Sequence, residues 1–111
     1  MKKEYRVKKN EDFSKIISKK KSVANKSFII YYLNNNLDHG RVGISVSKKL
    51  GNAVVRNKIK RQVRMMIQDV FDLNKSIDYV VIMRNNYLHN SYSVNKDNLL
   101  SLYNKLLKRK G

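Results

Sequence analysis

The chain has 111 residues, and its 25 lysines and arginines stand against 8 aspartates and glutamates, a net charge of +17. At this length, with 41% hydrophobic residues, it is sized for a single domain over residues 1–111 with one core. The lack of cysteine excludes a disulfide framework, a thiolate metal site and a cysteine nucleophile, and two histidines cannot close a zinc site.

The basic residues run from Lys2 to Lys110 among apolar ones, so the charge belongs to the folded unit rather than to a tail. Charge of this size attracts polyanions, with nucleic-acid phosphate and an anionic membrane surface as the competing partners. Ser27 to Leu37, the longest uncharged stretch of the first half, falls far short of the ~20 apolar residues that span a bilayer. No apolar segment follows the basic start, as a signal peptide requires, and a cytoplasmic location is expected.

Met1 to Lys9 has no period and reads as an extended or mobile arm. Asn10 reads as a helix N-cap, with Glu11 and Asp12 in the first turn at the positive end of the helix dipole. Phe13, Ile16 and Ile17 follow at i, i+3 and i+4, a short amphipathic helix that ends in Lys19, Lys20 and Lys21. Ser22 to Asn25 leaves room for a short strand. Ser27 to Leu33, rich in Phe, Ile and Tyr, predicts a strand stopped by Asn34, Asn35 and Asn36. Val42, Ile44 and Val46 alternate with Gly43, Ser45 and Ser47, a strand with one apolar and one small face. The two runs are expected to pair as an antiparallel hairpin around Asn34 to Gly40, and the small face is flat enough to receive a ligand backbone.

Gly51 to Phe71 predicts an amphipathic helix. At about 100° per residue, Val55, Ile59, Val63, Met66, Ile67 and Val70 share one arc, and Asn57, Lys60, Arg61 and Arg64 lie outside it. From Lys48 to Gln68 there are seven basic residues, Lys48, Lys49, Arg56, Lys58, Lys60, Arg61 and Arg64, and no acid to neutralise them. After a turn at Lys75 to Asp78, the apolar run Tyr79 to Met83 reads as a strand and Asn85 to Ser93 as a loop. Leu99, Leu100, Tyr103, Leu106 and Leu107 then mark a last helix, with Lys105, Lys108, Arg109 and Lys110 crowding its C-terminal turn.

Side-chain catalysis is hard to assemble from these residues. His39 falls in a turn, His89 in a loop, the acids are scattered, and the glycines do not fall at phosphate-loop spacings. No catalytic and no metal-ligating residue is assigned. Binding is easier to build: seven cations surround a helix N-terminus that Gly51 and Asn52 open, which suits phosphate oxygens by charge and by free N–H groups. Phe13, Phe28, Tyr31 and Tyr32 offer stacking surfaces for unpaired bases, with core packing as the alternative for each.

The string Arg41-Val-Gly-Ile-Ser-Val-Ser-Lys-Lys-Leu-Gly-Asn-Ala-Val-Val-Arg-Asn-Lys-Ile-Lys-Arg-Gln-Val-Arg64 closely resembles the protein subunit of bacterial ribonuclease P. The likeness extends through Lys8-Lys-Asn-Glu-Asp-Phe13, Ser22-Val-Ala-Asn25 and Asp78-Tyr-Val-Val-Ile-Met-Arg84. It implies an α+β fold, an α/β sandwich of the ribosomal protein S5 domain 2-like type. A four-stranded central sheet and about three helices then follow in the order αβββαβα, with a left-handed βαβ crossover through the basic helix. The resemblance also implies an RNA-binding component that assists a catalytic RNA subunit, with Mg²⁺ bound mainly by that RNA, in removing the 5′ leader from precursor tRNA. The partners implied are the ribonuclease P RNA subunit and precursor tRNA, with no membrane and no small-molecule substrate.

Carried onto this chain, the likeness assigns RNA binding to Lys48, Lys49, Asn52, Arg56, Asn57, Lys58, Lys60, Arg61 and Arg64. It assigns a leader-binding cleft to Phe13, Ile17, Phe28 and Tyr31. Lys58 stands where arginine is commoner, keeping the charge and losing the planar fork. Ile17 stands where an aromatic is often found.

Overall fold

In a computed structural model that describes residues 1–110, the chain forms α1 (Asn10–Ser18), β1 (Ser22–Ala24), β2 (Phe28–Asn34), β3 (Arg41–Ser45), α2 (Ala53–Val70), β4 (Ile77–Met83) and α3 (Tyr92–Lys110). This is the order αβββαβα. The strands make one mixed sheet in the order β1–β2–β4–β3.

The expected hairpin between β2 and β3 does not form. β4 lies between them, antiparallel to β2 and parallel to β3, with Tyr79 opposite both Tyr32 and Val42. The reason lies in β4 itself: six of its seven residues are buried, and a strand apolar on both faces belongs in the middle of a sheet. β3, with Gly43 and Ser45 on one side, takes the edge. Its parallel partnership with β4 then needs a crossover, and α2 is that crossover.

Helices cover both faces of the sheet. Phe28, Ile30 and Tyr32 of β2, with Val42, Tyr79, Val81 and Met83, pack under α2 and α3, which contribute Ile59, Val63, Met66, Ile67, Leu99, Tyr103 and Leu106. On the other face α1 sets Ile16 on Val80, with Phe13, Ile17, Tyr31, Leu33 and Ile82 half-buried around them. Gly43 is required here: a Cβ at that position would stand 2.5 Å from the Phe13 ring. The small face of β3 thus receives α1 at Gly43 rather than a ligand.

Three boundaries differ from expectation. α1 starts at Asn10 itself, its N-cap is Lys9, and no side chain caps it. Its C-terminal turn closes with Lys20 at φ 58°, the left-handed conformation common after a helix C-terminus. Asp78 belongs to β4 rather than to the preceding turn, and Asn85–His89 forms a short 3-10 turn within the expected loop.

Asp78 is buried because it is paired. Arg41, its cross-strand neighbour, sends Nε to Oδ1 at 3.0 Å and Nη2 to Oδ2 at 2.7 Å, while Asn35 Nδ2 donates to Oδ1 at 2.7 Å. Arg41 Nη1 also lies 3.5 Å from Asp12 Oδ2, so one guanidinium ties β3, β4 and α1 together.

The N-terminal segment is docked along the free edge of β3. Arg6 bridges to Val42, Val7 N–H donates to the Val42 carbonyl at 3.1 Å, and Val7 is buried. His39 clasps the same segment, with Nε2 2.7 Å from the Glu4 carbonyl and Nδ1 2.8 Å from Asp38 Oδ1. Tyr5 sets its ring edge-on to the imidazole at 5.2 Å. Both polar neighbours are acceptors, so both ring nitrogens act as donors and the cation is favoured. The Asp38 bond, then the Glu4 carbonyl, raise the His39 pKa, and the same pairing lowers that of Asp38. A raised His pKa contributes stability that is complete below its unfolded value of ~6.5 and is lost as pH climbs through the folded value. Asp38 works in the opposite sense, its contribution vanishing as pH falls through its lowered folded value. Amide-exchange protection at Glu4 to Val7 is therefore expected to fall on the alkaline side, and a His39→Gln chain to lack that step. A protection pattern independent of pH, after correction for intrinsic exchange, would refute the clasp.

Candidate nucleic-acid interface

α2 begins where the local chemistry is most demanding. Gly51 has φ 150°, and a Cβ there would press on Val55 at 2.8 Å. Asn52 then caps the helix, its side-chain oxygen accepting from the Val55 N–H at 3.1 Å. Just upstream, Ser47 Oγ accepts from the Lys49 N–H at 3.2 Å and opens a 3-10 turn, Lys48–Leu50, that buries Leu50 and leaves both lysines exposed. Along α2, Ile59, Val63, Met66 and Ile67 are buried as the periodicity predicts. Val55 is not: it sits one turn too close to the helix start to reach the core and is 37% exposed.

The basic residues of α2 divide into two rows. Arg56, Lys60 and Arg64, at i, i+4 and i+8, are half-buried beside the packed face; Asn57, Lys58 and Arg61 stand fully outward. No cation from Lys48 to Arg64 has a carboxylate partner among the described residues, and the one ion pair of α2 joins Asp69 to Lys96 at its far end. The helix thus presents unneutralised charge along about two and a half turns, Arg56 to Arg64.

Between α1 and α2 runs an open groove of about 380 Å³ along the free edge of β3. Asn10, Phe13, Ser14 and Ile17 form one wall, Ile44, Ser45 and Val46 the floor, and Lys60 the opposite side. An apolar ring beside a cation, over a floor with a small hydroxyl, suits a single-stranded polynucleotide, whose bases stack while its phosphates meet charge.

The structure brings Phe13 and Ile17 into this groove. Tyr31 shares the α1 face but lies on β2, two strands from the β3 edge, and does not line the groove. Phe28 is a correction: it is fully buried on the opposite face, its ring edge-on to Tyr87 at 5.7 Å. Successive side chains of a strand alternate faces, so residues three apart cannot share one. Tyr32 is buried on that opposite face for the same reason. Asn10, Ser14, Ile44 and Val46 were not expected in a site; Ser45 belongs to the small face expected to receive a ligand backbone, and it lies in the groove floor. Ile44 and Val46 carry the alternation of a core strand, and only their place on a sheet edge exposes them.

Nothing in the groove suits acid–base or metal chemistry. Burial raises the hydroxyl pKa of Tyr79, and that of Tyr87 to about 12, but both rings sit in the core. No group of three His, Asp or Glu that could hold a metal ion occurs among the described residues. Mg²⁺ demands hard oxygen ligands, carboxylates foremost, and the groove and its flanking helix offer cations instead.

The chain matches the family described as Ribonuclease P over residues 1–107. It is 50% identical over 104 residues to the ribonuclease P protein component of Mesoplasma florum, covering 92% of this chain and 94% of that one. With the ribonuclease P protein component of Streptococcus agalactiae it shares 50% identity over 100 residues, 90% of this chain and 92% of the other. A solved Staphylococcus aureus RNase P protein, a mutant with defective mRNA degradation activity, superposes with TM-score 0.85 at 44% identity, covering 96% of this chain and 90% of that one. The RNase P protein from Thermotoga maritima gives TM-score 0.77 at 33% identity over 87% of this chain and 93% of the other.

Proposed function

The chain belongs to the bacterial ribonuclease P protein family, an RNA-binding component of the holoenzyme that matures tRNA 5′ ends, and we propose how its surfaces divide that work. The outward row, Asn57, Lys58 and Arg61, with Lys48, Lys49 and Asn52 at the helix start, contacts the ribonuclease P RNA. The groove at Phe13 and Ile17 takes the single-stranded 5′ leader of precursor tRNA, with Arg56, Lys60 and Arg64 between the two RNAs.

Hydrolysis belongs to the RNA subunit with its Mg²⁺. The donor set supports this division, since the groove holds neither a carboxylate pair for a metal nor a positioned general base, and what it supplies is charge and shape. The whole chain acts as one RNA-binding unit, and its place is the cytoplasm with its RNA partners. No helix among the described residues is long and apolar enough to cross a membrane.

The observation that carries the reading is the basic stretch Lys48 to Arg64, free of acids and set beside an apolar groove. A screening argument gives the test: at low Mg²⁺ the repulsion between two RNAs is poorly offset, so a polycation has most to contribute. This protein is expected to stimulate leader cleavage by a cognate RNA subunit at low Mg²⁺, with a preference for precursor over mature tRNA. Cleavage unchanged by the protein would refute the role.

A further inference from the structure

Next to the groove lies a smaller, partly open cavity of about 130 Å³, bounded by the N-terminal segment, α1, β3 and α2. Arg6, Lys60 and Arg64 line it, with Val7, Phe13 and Ile44 among its apolar walls and no carboxylate anywhere on its surface. The Nε atoms of Arg6, Arg56 and Arg64 are out of contact with water and have no hydrogen-bond acceptor; Arg56 lies outside the cavity, and what singles the cavity out is that two such groups share its wall. Two guanidinium groups are therefore partly desolvated and wholly unneutralised in the wall of one small cavity. Such a site gains from an anion, because charge-assisted hydrogen bonds strengthen as water is excluded.

Arg6 is not a loose surface cation. Its backbone bridges to Val42, the next residue is hydrogen-bonded to the same strand, and His39 holds Glu4 two residues before it. The cavity shares Phe13, Ile44 and Lys60 with the groove, so a nucleotide stacked at Phe13 lies beside it. Its volume of about 130 Å³ leaves room for a phosphate group.

We propose that this cavity seats one backbone phosphate of the single-stranded leader, next to the nucleotide at Phe13, and that Arg6 completes the seat with Lys60 and Arg64. The inference rests on the groove being the leader path. In the holoenzyme, Arg6→Gln is expected to weaken binding of precursor tRNA about tenfold, the size of one charge-assisted contact, and to leave mature tRNA unchanged. Arg6→Lys, which keeps the charge without the fork, recovers part of the loss. Neutral methylphosphonate linkages placed one at a time along the leader should reveal a single position where the unaltered protein loses about tenfold and the Arg6→Gln protein loses nothing more.

Equal losses for precursor and mature tRNA, or additive losses at every linkage, would overturn the proposal. So would inorganic phosphate shifting the Nε–H signals of Arg6 and Arg64 while no leader linkage couples to Arg6, which would mark a site for free anions only. If the unaltered protein shows no preference for precursor over mature tRNA, the groove reading itself fails and the seat with it; a preserved preference with no Arg6 coupling rejects the seat alone.

Discussion

An Asp78→Ala chain is expected to lose about 3 kcal/mol of folding stability, out of the ~5–15 kcal/mol usual for a domain. Removing one member of a buried ion pair typically costs ~3–5 kcal/mol, because the partner's charge is stranded. The Arg41 side chain keeps 23% of its surface and Asp78 only 7%, so water can partly rescue the arginine, which places the loss at the lower end. Asn35, which also donates to Asp78, is left without that acceptor. Changing both partners separates the stranded charge from the lost contact: Arg41→Met with Asp78→Ala should be more stable than Asp78→Ala alone. Urea unfolding of the unaltered chain, Asp78→Ala and the double variant measures this, and an Asp78→Ala loss below ~1 kcal/mol would refute it. The damage should extend to the groove, since Arg41 also reaches Asp12, the residue before Phe13.

The pair itself was legible only in part. Arg41 and Asp78 both stood in the sequence next to strand runs, but their pairing depends on β3 lying beside β4, and local signals placed β3 beside β2 instead. Proximity along the chain favoured the hairpin, since β2 and β3 are separated by a short turn-rich segment. The continuous apolar run of β4 carried the opposing information: such a strand is covered on both faces and sits between others. Element types and order were readable throughout, because the periods of α1, β3, α2 and α3 are strong and β2 and β4 are apolar runs of strand length. The parallel crossover through α2 was implied by the family likeness and not by any periodicity.

For the interface, Lys60, Arg61 and Arg64 were legible on α2, since they fall outside the apolar arc by arithmetic alone, whereas Arg56 falls within it. The odd spacing between Phe28 and Tyr31 was equally visible and forbids placing both in one cleft. Arg6 was not legible: it lies in a segment without periodicity, and only the free edge of β3 gives that segment a place. Gly43 is the intermediate case. Its smallness was plain, but whether it made room for a ligand or for the Phe13 ring depended on which helix covered that face.

Replacing Arg61 and Arg64 together by alanine is expected to weaken RNA binding about 100-fold and to flatten its salt dependence. Two lost charge-assisted contacts at ~1.5 kcal/mol each give ~3 kcal/mol, and 1.4 kcal/mol is a tenfold change. Each neutralised phosphate contributes ~0.7 to 0.9 to the slope of log K against log salt, so the slope should fall by about 1.4 to 1.8. The two arginines are not equivalent. Arg61 stands in the exposed row, whereas Arg64 is half-buried and its stem covers apolar surface, so Arg64→Ala alone also removes packing. Lysine at both positions separates the effects, since charge and most of the stem remain while the planar fork is lost. That chain should keep the unaltered slope and still bind more weakly. If the alanine chain, with its fold intact by circular dichroism, keeps the full salt slope, then α2 is not where the phosphates lie.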